Sequence, residues 1–128
     1  MAIESKELLE FLVPLYPGLR DRLVASAHAC LTKTGEISSC SVFSETSNLV
    51  IERISAGDFT YIGELFYGVE RCLTEGSTDV STAAATCFLE NLQNRQEIGL
   101  LAAHFMGPLA KQHCRAWDKF TGVVTPGL

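Results

Sequence analysis

The sequence predicts an all-α fold, a single domain of about seven short helices packed as antiparallel hairpins. Apolar residues recur at steps of three and four along most of the chain, Gly- or Pro-containing segments separate these stretches, and no stretch carries a strand signal strong enough for a sheet. The chain of 128 residues is long enough for one core. We therefore expect residues 1–128 to form one helical domain. Stacking of the helix pairs into a small solenoid-like array is also consistent with this pattern, although no fixed-period repeat supports it.

The first half of the chain is predicted to contain three helices, at residues 5–16, 17–33 and 40–57. Pro14 breaks the first of them, and Gly57 ends the third. The third stretch also carries β-branched residues that suit a strand. Four of its residues nevertheless share one face of a helix, so we predict a helix there. They are Phe43, Thr46, Val50 and Ile54.

The clearest periodicity lies in residues 58–75, for which Asp58 is the predicted N-cap. Ser77 is the predicted N-cap of the next helix, at residues 77–94. The connection between these two helices is so short that they should form a hairpin. The apolar face of the first helix is predicted to comprise Phe59, Ile62, Leu65, Phe66, Val69, Cys72 and Leu73.

Two further helices are predicted at residues 96–106 and 107–122. Pro108 suits the first turn of the last helix, and Gly122 suits the position just past its end. The tail, residues 123–128, has no helical pattern.

Composition and charge exclude several classes of partner. The chain is 47% hydrophobic and 20% charged, as in an ordinary globular protein. No apolar run approaches the ~20 residues that cross a bilayer, and the acidic N-terminus is not a signal peptide. The formal net charge is −5, and the ten lysines and arginines form no basic stripe. We expect no membrane and no nucleic-acid partner, whereas a basic protein would be attracted.

The cysteines also suggest a cytoplasmic protein. Their number is odd and no two have CxxC spacing, so they do not resemble a secreted disulfide framework. Cys72 and Cys87 lie among apolar residues at helical spacing, and we predict both to be buried free thiols. The five are Cys30, Cys40, Cys72, Cys87 and Cys114.

One segment near the C-terminus, HCRAWDKFTG, concentrates residues that could carry chemistry. It contains His113, Cys114 and Asp118. A catalytic nucleophile, its base and an orienting group must face one another, but neighbouring positions of one helix do not. Helical spacing instead predicts that Trp117 and Phe120 point inward with His113, while Asp118 lies towards solvent. We therefore expect a Trp-anchored last helix and no catalytic residues.

No metal or cofactor site is predicted either. His28, His104 and His113 have neither the i, i+4 spacing nor the CxxC partners of a zinc site. Phosphate-binding loops, GxSxG elbows and HExxH motifs are absent. Glu64 and Glu70 are six residues apart and do not share a helix face. The sequence predicts a protein that is not an enzyme.

Three motifs, GELFYGVERCLTEG, TCFLENLQN and GPLAKQHCRAWDKFTG, resemble a family of small bacterial all-helical domains with no established activity. The resemblance runs from about residue 35 to residue 122. Members of this kind are often found beside polymorphic toxin genes, where they resemble immunity proteins. One departure is at residues 36–42, where relatives carry a polar or histidine-bearing turn and this chain reads EISSCSV.

The resemblance implies an immunity-type protein that neutralises a cognate antibacterial toxin by occluding its active surface. The surplus of acid predicts that this toxin is basic, because charge complementarity speeds association. Exposed carboxylates of the middle helices are the predicted contacts: Glu45, Glu52, Asp58 and Glu64. The alternatives are a helical adaptor with another protein partner and an enzyme or ligand-binding protein that uses the His113, Cys114 and Asp118 region.

Overall fold

Seven helices account for most of residues 2–26 and 36–122, the part of the chain that the computed structural model describes. The all-α class is confirmed, and this part of the chain contains no strand beyond an isolated bridge. The helices are α1 (Leu8–Leu12, between the 3-10 turns Ser5–Glu7 and Val13–Leu15), α2 (Leu19–Ala25), α3 (Ser39–Ser55), α4 (Ile62–Glu75), α5 (Thr78–Ala83, the π-helix Ala84–Leu89 and Glu90–Gln93), α6 (Gln96–Ala102, followed by the 3-10 turn Ala103–Phe105) and α7 (Pro108–Thr121).

Some of the expectations fall on residues that are not described. The second half of the predicted helix at residues 17–33 lies outside the described residues, as do His28, Cys30 and the tail, residues 123–128. Within the described ranges, no helix combines the length and the apolar character needed to cross a membrane.

Several predicted helix ends are confirmed. The Ser77 side chain accepts a hydrogen bond from the Val80 amide at 3.3 Å, as an N-cap should. Pro108 occupies the first turn of α7, and Gly122, with a φ of 78°, adopts the left-handed conformation just past its end. The prediction for Asp58 was wrong: α4 begins four residues later, and the Asp58 carboxylate instead accepts from the Thr60 amide at 3.1 Å.

One continuous core lies between the helices. Its centre is aromatic: the buried Phe88 ring is edge-on to Phe43 and to Phe66, with centroids 6.2 and 5.4 Å apart. Helix α3 packs chiefly on α5, while α4 contacts α1 and α7 as well as α5. Because these contacts skip sequence neighbours, the helices form a bundle and not a solenoid-like array.

The last helix is fixed to α4 by a carboxylate. Glu70 accepts hydrogen bonds from the backbone amides of Leu109 and Ala110, at 2.7 and 3.0 Å, and so caps the N-terminus of α7 from a different helix. A Cβ atom on Gly107 would lie 2.6 Å from the Glu70 Cδ atom, so this glycine leaves room for the cap. This contact therefore joins two of the motifs quoted above, GELFYGVERCLTEG and GPLAKQHCRAWDKFTG.

Polar residues of the ENLQ segment fix α5 to its neighbours. The amide of the buried Gln93 donates to the Cys114 carbonyl and to the Asp118 carboxylate, both at 3.0 Å. Asn91 donates to the Ser47 hydroxyl on α3. These bonds contribute to the register of α5 against α3 and α7, because the buried Gln93 and Ser47 would lose a hydrogen bond if the helices shifted.

A disulfide joins Cys40, in the first turn of α3, to Cys87, in the π-helical part of α5. The prediction that Cys87 is a buried free thiol was wrong, because its side chain lies at the edge of the core within reach of Cys40. Cys72 is a buried free thiol, as predicted, and so is Cys114.

Candidate functional site

The connection between α3 and α4 projects aromatic and acidic side chains together. We call residues 58–64 the 58–64 turn. Two of its aromatic side chains are exposed, Phe59 to 40% and Tyr61 to 49%. Asp58 begins the turn, and the exposed Glu64 ends it in the first turn of α4. The turn thus combines two large contact rings with two carboxylates, and it contains no basic residue.

Backbone hydrogen bonds hold the 58–64 turn in one shape. The Asp58 amide donates to the Arg53 carbonyl at 2.8 Å, and the Ile62 amide donates to the Phe59 carbonyl at 3.2 Å. Tyr61 has a φ of 63°, a left-handed conformation that is uncommon for a bulky residue. Such conformations cost about 1–3 kcal/mol and tend to cluster at functional positions.

Each exposed ring of the turn rests on a ring from elsewhere in the fold. Phe59 stacks on Phe105 at the end of α6, with centroids 6.0 Å apart. Tyr61 is edge-on to the buried Tyr16, at 6.4 Å. The rings are therefore pre-positioned, and a partner that covers them would pay little entropy to order them.

The two carboxylates of the turn have different surroundings. Hydrogen bonds from Thr60 lower the pKa of Asp58. Glu64 makes no hydrogen bond or ion pair with any described residue. The turn therefore presents negative charge beside exposed aromatic surface.

Glu45 and Glu52, the other two predicted contacts, lie together at a different place. Both carboxylates pair with the Arg22 guanidinium of α2, at 3.2 and 2.7 Å. This pairing lowers the pKa of Glu52 and neutralises part of the acidic surface of α3. Glu45 is only 24% exposed, whereas Glu52 is 60% exposed. Their role in partner binding stays a prediction.

The last helix carries a second exposed aromatic pair. Trp117 stacks on Phe120 with centroids 6.0 Å apart, but Trp117 is only half-buried and Phe120 is 82% exposed. The prediction that both point inward was wrong. The inward face of α7 is formed by the smaller Ala110 and Cys114, which allow a close approach to the core.

The residues of HCRAWDKFTG do not form a catalytic cluster. His113 Nε2 lies 2.8 Å from Glu90 Oε2 on α5. Cys114 faces the core, and burial raises the pKa of its thiol to about 12, so it is not a nucleophile at neutral pH. Asp118 does not simply face solvent as predicted, because it accepts the hydrogen bond from Gln93. The three side chains thus have separate structural partners.

Metal ligands are not gathered in the described ranges. No group of three or more His, Cys, Asp or Glu side chains converges there in a way that could hold an ion. His104 is exposed in the turn after α6, and His113 is engaged with Glu90.

Periodicity does not predict the aromatic part of the 58–64 turn, because it puts Phe59 on the buried face of a helix that begins at Asp58. The sequence nevertheless contains a signal for it. Side chains two residues apart on a helix point about 160° away from each other around its axis, so Phe59 and Tyr61 cannot both lie on one buried face. At least one of them had to be exposed if the helix began at Asp58.

The model of one protein family, described as "Domain of unknown function (DUF7674)", matches residues 9–122 of the chain. Comparison with curated proteins and comparison with solved structures both find no match.

Proposed function

We propose that this chain, which belongs to the DUF7674 family, is an immunity-type protein that binds a basic antibacterial protein toxin and neutralises it. It acts in the bacterial cytoplasm by covering the active surface of the toxin. The observation that carries the proposal is the 58–64 turn, where two exposed aromatic rings and two carboxylates lie together on one surface. Aromatic residues in such surfaces contribute much of the binding energy between proteins.

Charge favours the 58–64 turn over the other exposed aromatic pair. Trp117 and Phe120 lie on the same helix as the exposed Arg115 and Lys119. This helix also carries Asp118, whereas the 58–64 turn itself carries only carboxylates, with Arg53 near Asp58. A basic partner is therefore attracted more strongly to the turn. The turn is therefore the contact that fits a basic toxin, and Glu52 at the edge of α3 is a secondary contact.

The chemistry of α7 supports inhibition by binding rather than catalysis. The histidine, thiol and carboxylate that motivate an enzyme are engaged in separate contacts with Glu90, the core and Gln93. A helical adaptor with a different partner is the second candidate, because an exposed aromatic turn also suits that role. The two candidates differ in the partner: an immunity protein binds the product of an adjacent toxin gene.

The proposal is tested by the association kinetics of charge-reversal variants with the product of the neighbouring gene. Asp58→Lys and Glu64→Lys should slow association about tenfold at low salt and much less at high salt, because reversing a rim charge acts mainly on the on-rate. The matched control is Glu97→Lys, an exposed carboxylate at the far end of α6 from Phe105.

Two outcomes would count against the proposal in different ways. Unchanged association rates for Asp58→Lys and Glu64→Lys at both salts would remove the 58–64 turn from the interface. If the wild-type protein binds no neighbouring gene product at all, the immunity function itself is contradicted.

A further inference from the structure

We propose that Cys40 and Cys87 are a reversible redox site, a disulfide that is reduced by dithiol proteins and re-formed under oxidising conditions. The two residues lie on different helices, 47 positions apart in sequence, with their Cα atoms 5.3 Å apart. That separation is within the usual range for a disulfide, so the pair can close without movement of the backbone.

Accessibility distinguishes this pair from the other described cysteines. Cys40 is exposed and Cys87 is half-buried. Cys72 and Cys114 are fully buried, and burial raises the pKa of each thiol to about 12. They are therefore protonated and shielded at neutral pH. Within the described ranges, thiol chemistry is confined to Cys40 and Cys87.

The surroundings of Cys40 allow a reducing partner to approach. Cys40 lines an open cleft of about 1040 Å³ between the N-terminal segment, the start of α3 and the start of α5. The cleft wall is mostly polar, with Ser5, Ser39 and Asp79 joined by hydrogen bonds. Because the cleft is open and Cys40 lies in its wall, this sulfur can be reached by a reactive dithiol.

Each sulfur has a neighbouring group that can stabilise it as a thiol or thiolate once the disulfide is cleaved. Cys40 is two residues past the Ser38 N-cap of α3, where the helix N-terminus favours a thiolate. Three carboxylates in the wall of the same cleft, those of Glu4, Glu36 and Asp79, oppose this effect. Cys87 Sγ lies 3.4 Å from Thr86 Oγ1. Since the Thr86 hydroxyl also donates to the Thr82 carbonyl, its oxygen can accept a hydrogen bond from the reduced Cys87 thiol.

The exchange balances as a two-electron step. A thiolate of the dithiol attacks Cys40 Sγ, the exposed sulfur, and the Cys40–Cys87 bond breaks as Cys87 leaves and takes up a proton. The second thiol of the reductant then attacks its own sulfur in the mixed disulfide and releases Cys40. The dithiol becomes a disulfide, and two electrons and two protons pass to the pair.

Cytoplasmic disulfides are usually transient or redox-sensing, since the thiol pool there keeps cysteines reduced. In the proposed compartment the pair is therefore normally a dithiol. Oxidation would clamp the start of α3 to the π-helical part of α5 and stabilise the fold.

The test uses folded protein carrying Cys30→Ser, because Cys30 lies outside the described residues and could exchange with the pair. The protein is equilibrated with glutathione buffers of different ratios without denaturant, quenched, alkylated and mapped by mass spectrometry. Cys40 and Cys87 should become alkylated together with a single midpoint ratio, while Cys72 and Cys114 stay unmodified until denaturant is added. Reduction of the pair only after denaturation, or at no glutathione ratio, would overturn the proposal.

Single variants test the roles of the two sulfurs. In Cys87→Ser the Cys40 thiol should react with a neutral alkylating reagent at pH 7 at least about tenfold faster than the Cys87 thiol does in Cys40→Ser, because it is exposed and lies at a helix N-terminus. Equal rates, or a faster Cys87, would overturn the assignment of Cys40 as the attacked sulfur.

Discussion

The contact between Glu70 and the start of α7 gives the sharpest stability prediction. Glu70→Ala removes two hydrogen bonds from backbone amides to a carboxylate, at 2.7 and 3.0 Å. Caps contribute about 0.5–2 kcal/mol and hydrogen bonds to charged groups about 1.5–3 kcal/mol. We expect the free energy of unfolding to fall by about 2 kcal/mol, measured by urea denaturation followed by circular dichroism.

Gly107→Ala tests the same contact from the other side. The backbone at Gly107 has a φ of −79°, which alanine adopts without strain. Alanine at this N-cap position costs about 1 kcal/mol by itself, and the collision with Glu70 adds about 1–3 kcal/mol of overpacking. In the double variant Glu70→Ala/Gly107→Ala the Glu70 carboxylate no longer meets the new methyl group. The cost of the glycine substitution should then fall to its N-cap part, with a coupling energy of about 1 kcal/mol or more.

The control for this cycle is Glu75→Ala, which removes only the exposed i, i+4 pair with Arg71 and should cost less than about 0.5 kcal/mol. A cost of Glu70→Ala no larger than that of this control would contradict the capping role of Glu70. An equal cost of Gly107→Ala with and without the Glu70 side chain would contradict the collision.

Two further predictions concern α7 and the buried thiols. Trp117→Ala should lower the free energy of unfolding by only about 1 kcal/mol, because its ring packs on the exposed Phe120 and such pairs contribute about 0.5–1.5 kcal/mol. The control in the same denaturation assay is Phe88→Ala, which truncates a buried ring and should cost about 3–5 kcal/mol. A similar loss for both variants would show that Trp117 is a core residue. The free energy of unfolding should fall as the pH rises above about 9, because the pKa values of Cys72 and Cys114 are raised to about 12 in the folded protein. The unfolded chain therefore loses these protons at a lower pH than the folded protein does. Each thiol should lower the free energy of unfolding by about 1.4 kcal/mol per pH unit. A Cys72→Ala/Cys114→Ala variant should have a shallower decline between pH 9 and 10, and an identical slope would contradict this.

Periodicity predicted the helices well because most of their apolar residues enter one core. The stretch with Phe43, Val50 and Ile54 is helical, and these three side chains are buried. Ser77, Pro108 and Gly122 mark helix ends as expected, because capping depends on local backbone chemistry.

The orientation of α7 could not be predicted in the same way. Two stripes share this helix, one with Trp117 and Phe120 and one with Ala110 and Cys114. The size of Trp117 and Phe120 suggests that they are the buried pair. In the structure Ala110 and Cys114 are buried instead, because their small side chains let α7 approach the core closely. Which stripe is buried depends on the space that the other helices leave, and no local pattern encodes that space.

Contacts between residues far apart in the chain also could not be predicted from the sequence. Glu70 resembles an ordinary solvated carboxylate on an amphipathic helix, and its partners lie about 40 positions later. Cys87 fits an apolar stripe as well as it fits a disulfide, and only the approach of α3 to the π-helical part of α5 distinguishes the two. Asp58 and Glu64 could be predicted from their charge. The exposure of Phe59 and Tyr61 could not, because it depends on the residue at which α4 begins.

The central claim, that the 58–64 turn blocks a toxin, is tested most directly by protection of bacterial growth. Cells that express the toxin encoded by the neighbouring gene are supplied with the wild-type protein, the Phe59→Ala/Tyr61→Ala variant or Phe120→Ala, which removes a still more exposed ring from α7. We predict that the wild type and Phe120→Ala restore growth and that the double variant, folded as judged by circular dichroism, does not. Growth restored equally by all three would contradict the role of the turn, and no protection by the wild type would contradict the immunity function.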